Sequence, residues 1–101
     1  MKYVTLWEMN MDRFPADPVE SGKLMMKLIE MTKQWQKATP RGDWGAFIGE
    51  NKGYSTGAVS AEEIMRINMM FKPYVHFKVY QAMSIDEVEA GMKSLMQMQP
   101  K

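Results

Sequence analysis

The chain has 101 residues, which suits one domain, residues 1–101, with a single modest core. Thirteen basic and twelve acidic residues leave a net charge of +1, so charge alone gives no grip on nucleic acid or an anionic membrane. The absence of cysteine rules out disulfides and thiolate chemistry, and a lone histidine, His76, rules out a histidine-rich metal site within one chain.

The N-terminal "MKYVTLWEMN" lacks the long apolar run of a signal peptide. Nowhere does the chain approach the roughly 18 consecutive apolar residues of a membrane span. A soluble cytoplasmic protein is therefore the default expectation. Lys2–Met9 alternates Tyr3, Thr5 and Trp7 against Val4, Leu6 and Glu8, the period-two pattern of a strand. Two prolines interrupt it. Asp17-Pro18-Val19-Glu20 then predicts a helix start, with Asp17 as cap and Pro18 in the first helical position. Leu24, Leu28, Met31 and Trp35, widened by Met25 and Ile29, form one apolar stripe of that helix. Thr39-Pro40-Arg41-Gly42 ends it.

"DWGAFIGENKGYSTGAVS" reads as a hairpin, with Trp44, Ala46 and Ile48 on one parity and turn chemistry in Glu50-Asn51-Lys52-Gly53. Its glycines mark bulges or places where other groups approach the backbone closely. Ser60-Ala61-Glu62-Glu63 is a capping box, followed by the stripe Ile64, Ile67 and Phe71 and a stop at Pro73. "YVHFKVYQAM" is the next strand. A second capping box, Ser84-Ile85-Asp86-Glu87, opens a terminal helix over about 85–98 with the stripe Ile85, Val88, Met92 and Leu95. That stripe predicts a helix that docks, against a sheet edge or a partner subunit.

The order is thus β-α-β-β-α-β plus a C-terminal helix. This predicts an α+β, ferredoxin-like fold with an antiparallel sheet. Two helices cover one face of a four-stranded sheet, and neither strand parity here is clearly polar. Val4, Leu6, Val75, Phe77 and Val79 are one set. Tyr3, Thr5, Trp7, Tyr74, His76, Lys78 and Tyr80 are the other, rich in rings with polar handles. A second face of this kind predicts a two-fold homodimer packed through its sheet faces.

The element order, the size and the "PYVHFKV" strand resemble the dimeric α+β-barrel superfamily, and within it the muconolactone isomerase-like group. Members carry Pro-Tyr at the end of the second helix before a strand of alternating apolar residues, and Pro73, Tyr74 and Val79 fit. Muconolactone isomerases have acidic residues on this strand where His76 and Lys78 stand here, which points away from that reaction itself. The resemblance implies a dimeric α+β barrel. The superfamily also contains cofactor-independent monooxygenases, haem-degrading enzymes and proteins with no known activity, so the resemblance leaves a cofactor-independent isomerase or monooxygenase chemistry as the alternative to small-molecule binding.

His76 is the one side chain that titrates near neutrality from an unperturbed start. It is the candidate catalytic residue, and a packed or interfacial histidine is the alternative. Trp7, Trp44, Tyr74, His76 and Tyr80 are the candidate ligand-binding residues for a small apolar or aromatic molecule. Trp35 belongs to the helical core stripe. The thirteen methionines suit a soft core or an adaptable apolar contact. No phosphate loop, nucleophile elbow or metal-ligand spacing occurs, so neither a cofactor nor a metal is expected. A self-associating protein without catalysis is the remaining reading. An open pocket lined by Trp, Tyr and His favours binding or catalysis, and a sheet interface filled by side chains favours self-association.

Overall fold

A computed structural model describes residues 2–39, 42–57 and 60–98. Strand β1 (Lys2–Met9) leads through a short 3-10 turn (Met11–Arg13) to helix α1 (Pro18–Ala38). Strands β2 (Trp44–Ala46) and β3 (Lys52–Thr56) form a hairpin. Helix α2 (Ala61–Phe71), strand β4 (Val75–Ala82) and helix α3 (Ile85–Met98) follow. The protein is α+β, with one four-stranded antiparallel sheet in the order β2-β3-β1-β4. The connection β1-α1-β2 skips over β3, and β3-α2-β4 skips over β1.

The expected helix starts form as the sequence implies. The Asp17 carboxylate accepts from the Glu20 N–H at 3.3 Å, and Ser60 Oγ accepts from the Glu63 N–H at 3.1 Å. At α3 the box is reciprocal: Ser84 Oγ accepts from the Glu87 N–H at 3.1 Å, and the Ser84 N–H donates to Glu87 Oε1 at 3.0 Å. The hairpin turn lies earlier than Glu50–Gly53. Glu50 N–H donates to the Phe47 carbonyl, and Gly49 takes a φ of 81° at the third turn position, which only glycine adopts at low cost. Lys52 and Gly53 belong to β3 instead. Of the residues expected to end α1 and β3, Pro40, Arg41, Ala58 and Val59 lie outside the described set.

Strand pairing fixes which parities share a face. Trp7 lies opposite Phe77, Thr5 opposite Val79 and Met9 opposite Val75, while Val4, Leu6 and Glu8 lie opposite Tyr80, Lys78 and His76. Directly paired residues point to the same side of a sheet. The grouping expected from single strands is therefore corrected. Trp7 and Thr5 share a face with Phe77 and Val79, whereas Val4 and Leu6 share one with His76, Lys78 and Tyr80.

Helices α1 and α2 lie over the Trp7–Phe77 face. Its core is Phe14, Leu28, Phe71 and Val75, with Trp7, Met9, Leu24, Met25, Met31, Ile67, Tyr74 and Phe77 packed around them. Edge-on ring contacts join Phe71 to Phe77 and Phe14 to Tyr74, with centroids 5.9 Å apart in each pair. The other face carries the exposed Leu6 and Tyr80, and no element among the described residues covers it.

Helix α3 contributes no buried residue. The Cα radius of gyration is 17.9 Å and the long axis 67 Å, against about 13 Å expected for a close-packed domain of this length. The expectation that α3 docks is unmet within one chain.

Candidate functional site

The space between the sheet and its two helices holds a cavity of about 250 Å³. Helix α1 supplies Met25, Leu28, Ile29, Thr32 and Trp35, the i, i+3, i+4, i+7, i+10 series of one helical face. Helix α2 supplies Ile64, Ile67 and Phe71, and the sheet contributes Thr5, Trp7, Met9, Trp44, Ser55, Thr56, Val75 and Phe77. A cavity of about 150 Å³ lined by aliphatic and aromatic side chains accepts benzene. The larger volume here suits a molecule of one or two rings.

The sheet side of the cavity is built around two indoles. Trp7 and Trp44 stack with ring centroids 5.3 Å apart and planes within 7° of parallel. They come from strands separated by β3, where Gly53 lies opposite Trp7 and Ala46 and Ser55 lies opposite Trp44. A Cβ at Gly53 would meet the Trp7 ring at 2.5 Å, so glycine lets that indole lie against the backbone of the middle strand.

The polar groups of the cavity are few and neutral. Thr32 Oγ1 donates to the Leu28 carbonyl at 2.9 Å, and Thr56 Oγ1 accepts from the Asp43 N–H at 3.2 Å. The indole N–H groups of Trp7 and Trp35 are buried and have no acceptor among the described residues. A buried donor without a partner costs about 1–3 kcal/mol. Among the described residues no charged side chain lines the cavity.

The expected site residues do not come together. Trp7 and Trp44 line the cavity, Tyr74 packs edge-on against Phe14 at the end of α2, and His76 and Tyr80 are exposed on the opposite sheet face. Trp35, read as core packing, lines the cavity too, as do Met25 and Thr32. The signal for them was the α1 stripe itself, since whatever that stripe covers is what its residues line.

His76 lies in a shallow polar depression with Glu8, Asn10, Asp12, Glu50, Asn51 and Lys52. Glu8 is its direct cross-strand neighbour, but the Glu8 carboxylate pairs with Lys52 Nζ at 3.7 Å. Among the described residues no cluster of three or more His, Asp or Glu side chains is arranged to hold a metal ion. No described helix is long and apolar enough to cross a membrane. Beyond the cavity, Tyr54 Oη donates to Asp43 Oδ2 at 3.1 Å, and that carboxylate raises the phenol above its ordinary pKa of 10.0.

The chain matches no protein-family model, and no curated protein matches it.

Proposed function

We propose that this protein binds a small, uncharged, largely aromatic molecule between its sheet and helices. The observation that carries the reading is the cavity of about 250 Å³ with the stacked Trp7–Trp44 pair in its wall. Ligand pockets are concave, mostly apolar and furnished with a few polar groups. The described lining carries no charge, which favours neutral ligands, because a carboxylate brought there would lose its hydration with no cation among the described residues to replace it. The two unpartnered indole N–H groups favour ligands that carry an oxygen acceptor.

Binding is favoured over the isomerase or monooxygenase alternative by what the lining lacks. The described lining holds no histidine, acid or amine, and His76, the candidate base, is on the far side of the sheet. A general base must come within hydrogen-bond reach of the proton it takes. Two crossover connections that each skip one strand support a ferredoxin-like reading of the fold. With it goes a homodimer through the open sheet faces, as in a dimeric α+β barrel. The exposed Leu6 and Tyr80 support that assembly.

Tryptophan fluorescence tests the binding reading. Titration with 1,4-naphthoquinone is expected to quench saturably at micromolar concentration and to raise the melting temperature, with naphthalene weaker and benzoate weaker still. Linear, unsaturable quenching by 1,4-naphthoquinone with no thermal shift from any of the three would overturn it.

A further inference from the structure

We infer that α3 is an exchanged arm, whose apolar stripe seats on the open sheet face of a second copy of this chain along the β1–β4 side. The inference rests on the homodimer reading above and adds the partner's α3 to the contact that the open sheet face makes. Helix α3 has 14 residues and buries none of them. Ile85, Val88, Met92, Leu95 and Met96 are exposed by 43–80%, and at 100° per residue they fall on one side of the helix. A lone helix of this length is marginal in water and owes its persistence to packing. The 67 Å long axis and the lack of a buried α3 residue fit a helix that stands off the chain's own described body.

The second copy is the occupant that charge and area favour. Described α3 carries Asp86, Glu87 and Glu89 against Lys93, three acids and one base. Along β1–β4 the open face carries Lys2 and Lys78, while Glu8, Asp12 and Glu50 gather with Lys52 at its His76 end and Asp43 sits beside Tyr54 at its β2 edge. The helix is thus net −2, and the stretch of sheet around Lys2 and Lys78 is basic. Leu6, Tyr80 and the half-buried Val4 and Tyr54 supply the apolar ground between the lysines. Five stripe side chains at roughly 60–120 Å² each give about 300–600 Å² per helix. Two arms and the two surfaces they cover bring the total to the order of 1,200–2,400 Å², the size of a stable interface. A two-fold axis makes both exchanges identical, so the assembly closes at two chains.

The native chain has no cysteine, which makes cross-linking a clean test. The double variant Leu6→Cys/Met92→Cys, oxidised at a concentration where light scattering gives the native mass as two chains, is expected to run mainly as a covalent dimer. Neither single variant should cross-link. An intramolecular disulfide, two free thiols, or cross-linking of Met92→Cys or Leu6→Cys alone would overturn the arm. Light scattering of the native chain separates this from the dimer reading: one chain at 50 µM removes the dimer itself, while two chains without the 6–92 cross-link remove only the arm. Ending the chain after Met83 provides a second measurement, in which the dimer dissociation constant should rise at least about tenfold. An unchanged constant would also overturn the arm.

Discussion

Helices α2 and α3 begin alike and end up in different surroundings. Each starts at a serine whose hydroxyl accepts from the N–H of a glutamate three residues on. Each carries an apolar stripe at helical spacing. Yet α2 lays Ile64, Ile67 and Phe71 over the sheet, and Phe71 is only 7% exposed, whereas Leu95 of α3 is 53% exposed. The comparison separates two links that sequence patterns merge. Capping and periodicity decide that a helix forms, and topology decides what it meets. The α2 crossover returns the chain to the sheet it has just left, with β4 pairing beside β1. After β4 no strand follows among the described residues, so no later described strand obliges α3 to fold back.

The sharpest way to break this contrast is to cut each stripe. Phe71→Ala is expected to cost about 3–5 kcal/mol, the range for removing a buried phenyl group and leaving a cavity. Leu95→Ala, in protein dilute enough to be monomeric, is expected to change stability by less than about 0.5 kcal/mol. Urea denaturation of both variants measures the difference. Equal losses would mean that α3 is docked on its own chain in solution.

The two sheet faces offer the same contrast at smaller scale. A methyl group at Gly53 would press on the Trp7 ring and on the Gly45 carbonyl, and backbone in a paired strand gives way poorly. Gly53→Ala is therefore expected to cost about 1–3 kcal/mol, as overpacking does. It should also shift tryptophan emission through the Trp7–Trp44 pair. Lys78→Ala, on the open face, is expected to leave monomer stability within about 0.5 kcal/mol. A neutral Gly53→Ala with unchanged emission would show that the indole does not lie where the structure places it.

Much of this was legible from residues alone. Lys2–Met9 as a strand, both later capping boxes and the stop at Pro73 follow from short-range chemistry. The pairing of faces did not. Alternation says that Trp7 and Leu6 point opposite ways, but only the register, with Trp7 against Phe77, says which points toward the helices. Register depends on contacts seventy residues apart, and slipping it by one residue exchanges the faces. Alternation alone consequently groups Trp7 with His76, and the α1 stripe alone makes Trp35 packing rather than cavity wall. The turn was misplaced for a local reason. Asn51-Lys52-Gly53 has turn composition, but Gly49 takes the positive φ and Gly53 is needed inside the strand beneath Trp7.

Removing the caps gives smaller effects that still distinguish the helices. Ser60→Ala should lower global stability by about 1 kcal/mol, because α2 unfolds with the core. Ser84→Ala removes an equivalent bond from a helix that shares no core. Its loss should appear as reduced helicity and faster amide exchange over 85–98, with the global denaturation midpoint unmoved in dilute protein. A matching drop in that midpoint for Ser84→Ala would couple α3 to the body.

The mildest perturbation is acid, and its sign follows from the α3 cap. Glu87 accepts from the Ser84 N–H, and that backbone bond, with the Ser84 hydroxyl adding to it, holds the carboxyl below the ordinary 4.5. A carboxyl group with a depressed folded-state pKa contributes stability that is present above its unfolded value. The contribution fades as pH falls from about 4.5 through the lower folded value. Protonation converts the acceptor oxygen into a weaker one and removes a negative charge from the helix N-terminus, where the backbone dipole favours it. The start of α3 should therefore loosen in that window while α2, held by its core, stays formed. The Ser84 amide shift followed by NMR titration should report a midpoint below 4.5, and Glu87→Gln should abolish the step. A midpoint at or above 4.5, or a step that survives Glu87→Gln, would mean the cap is not made in solution.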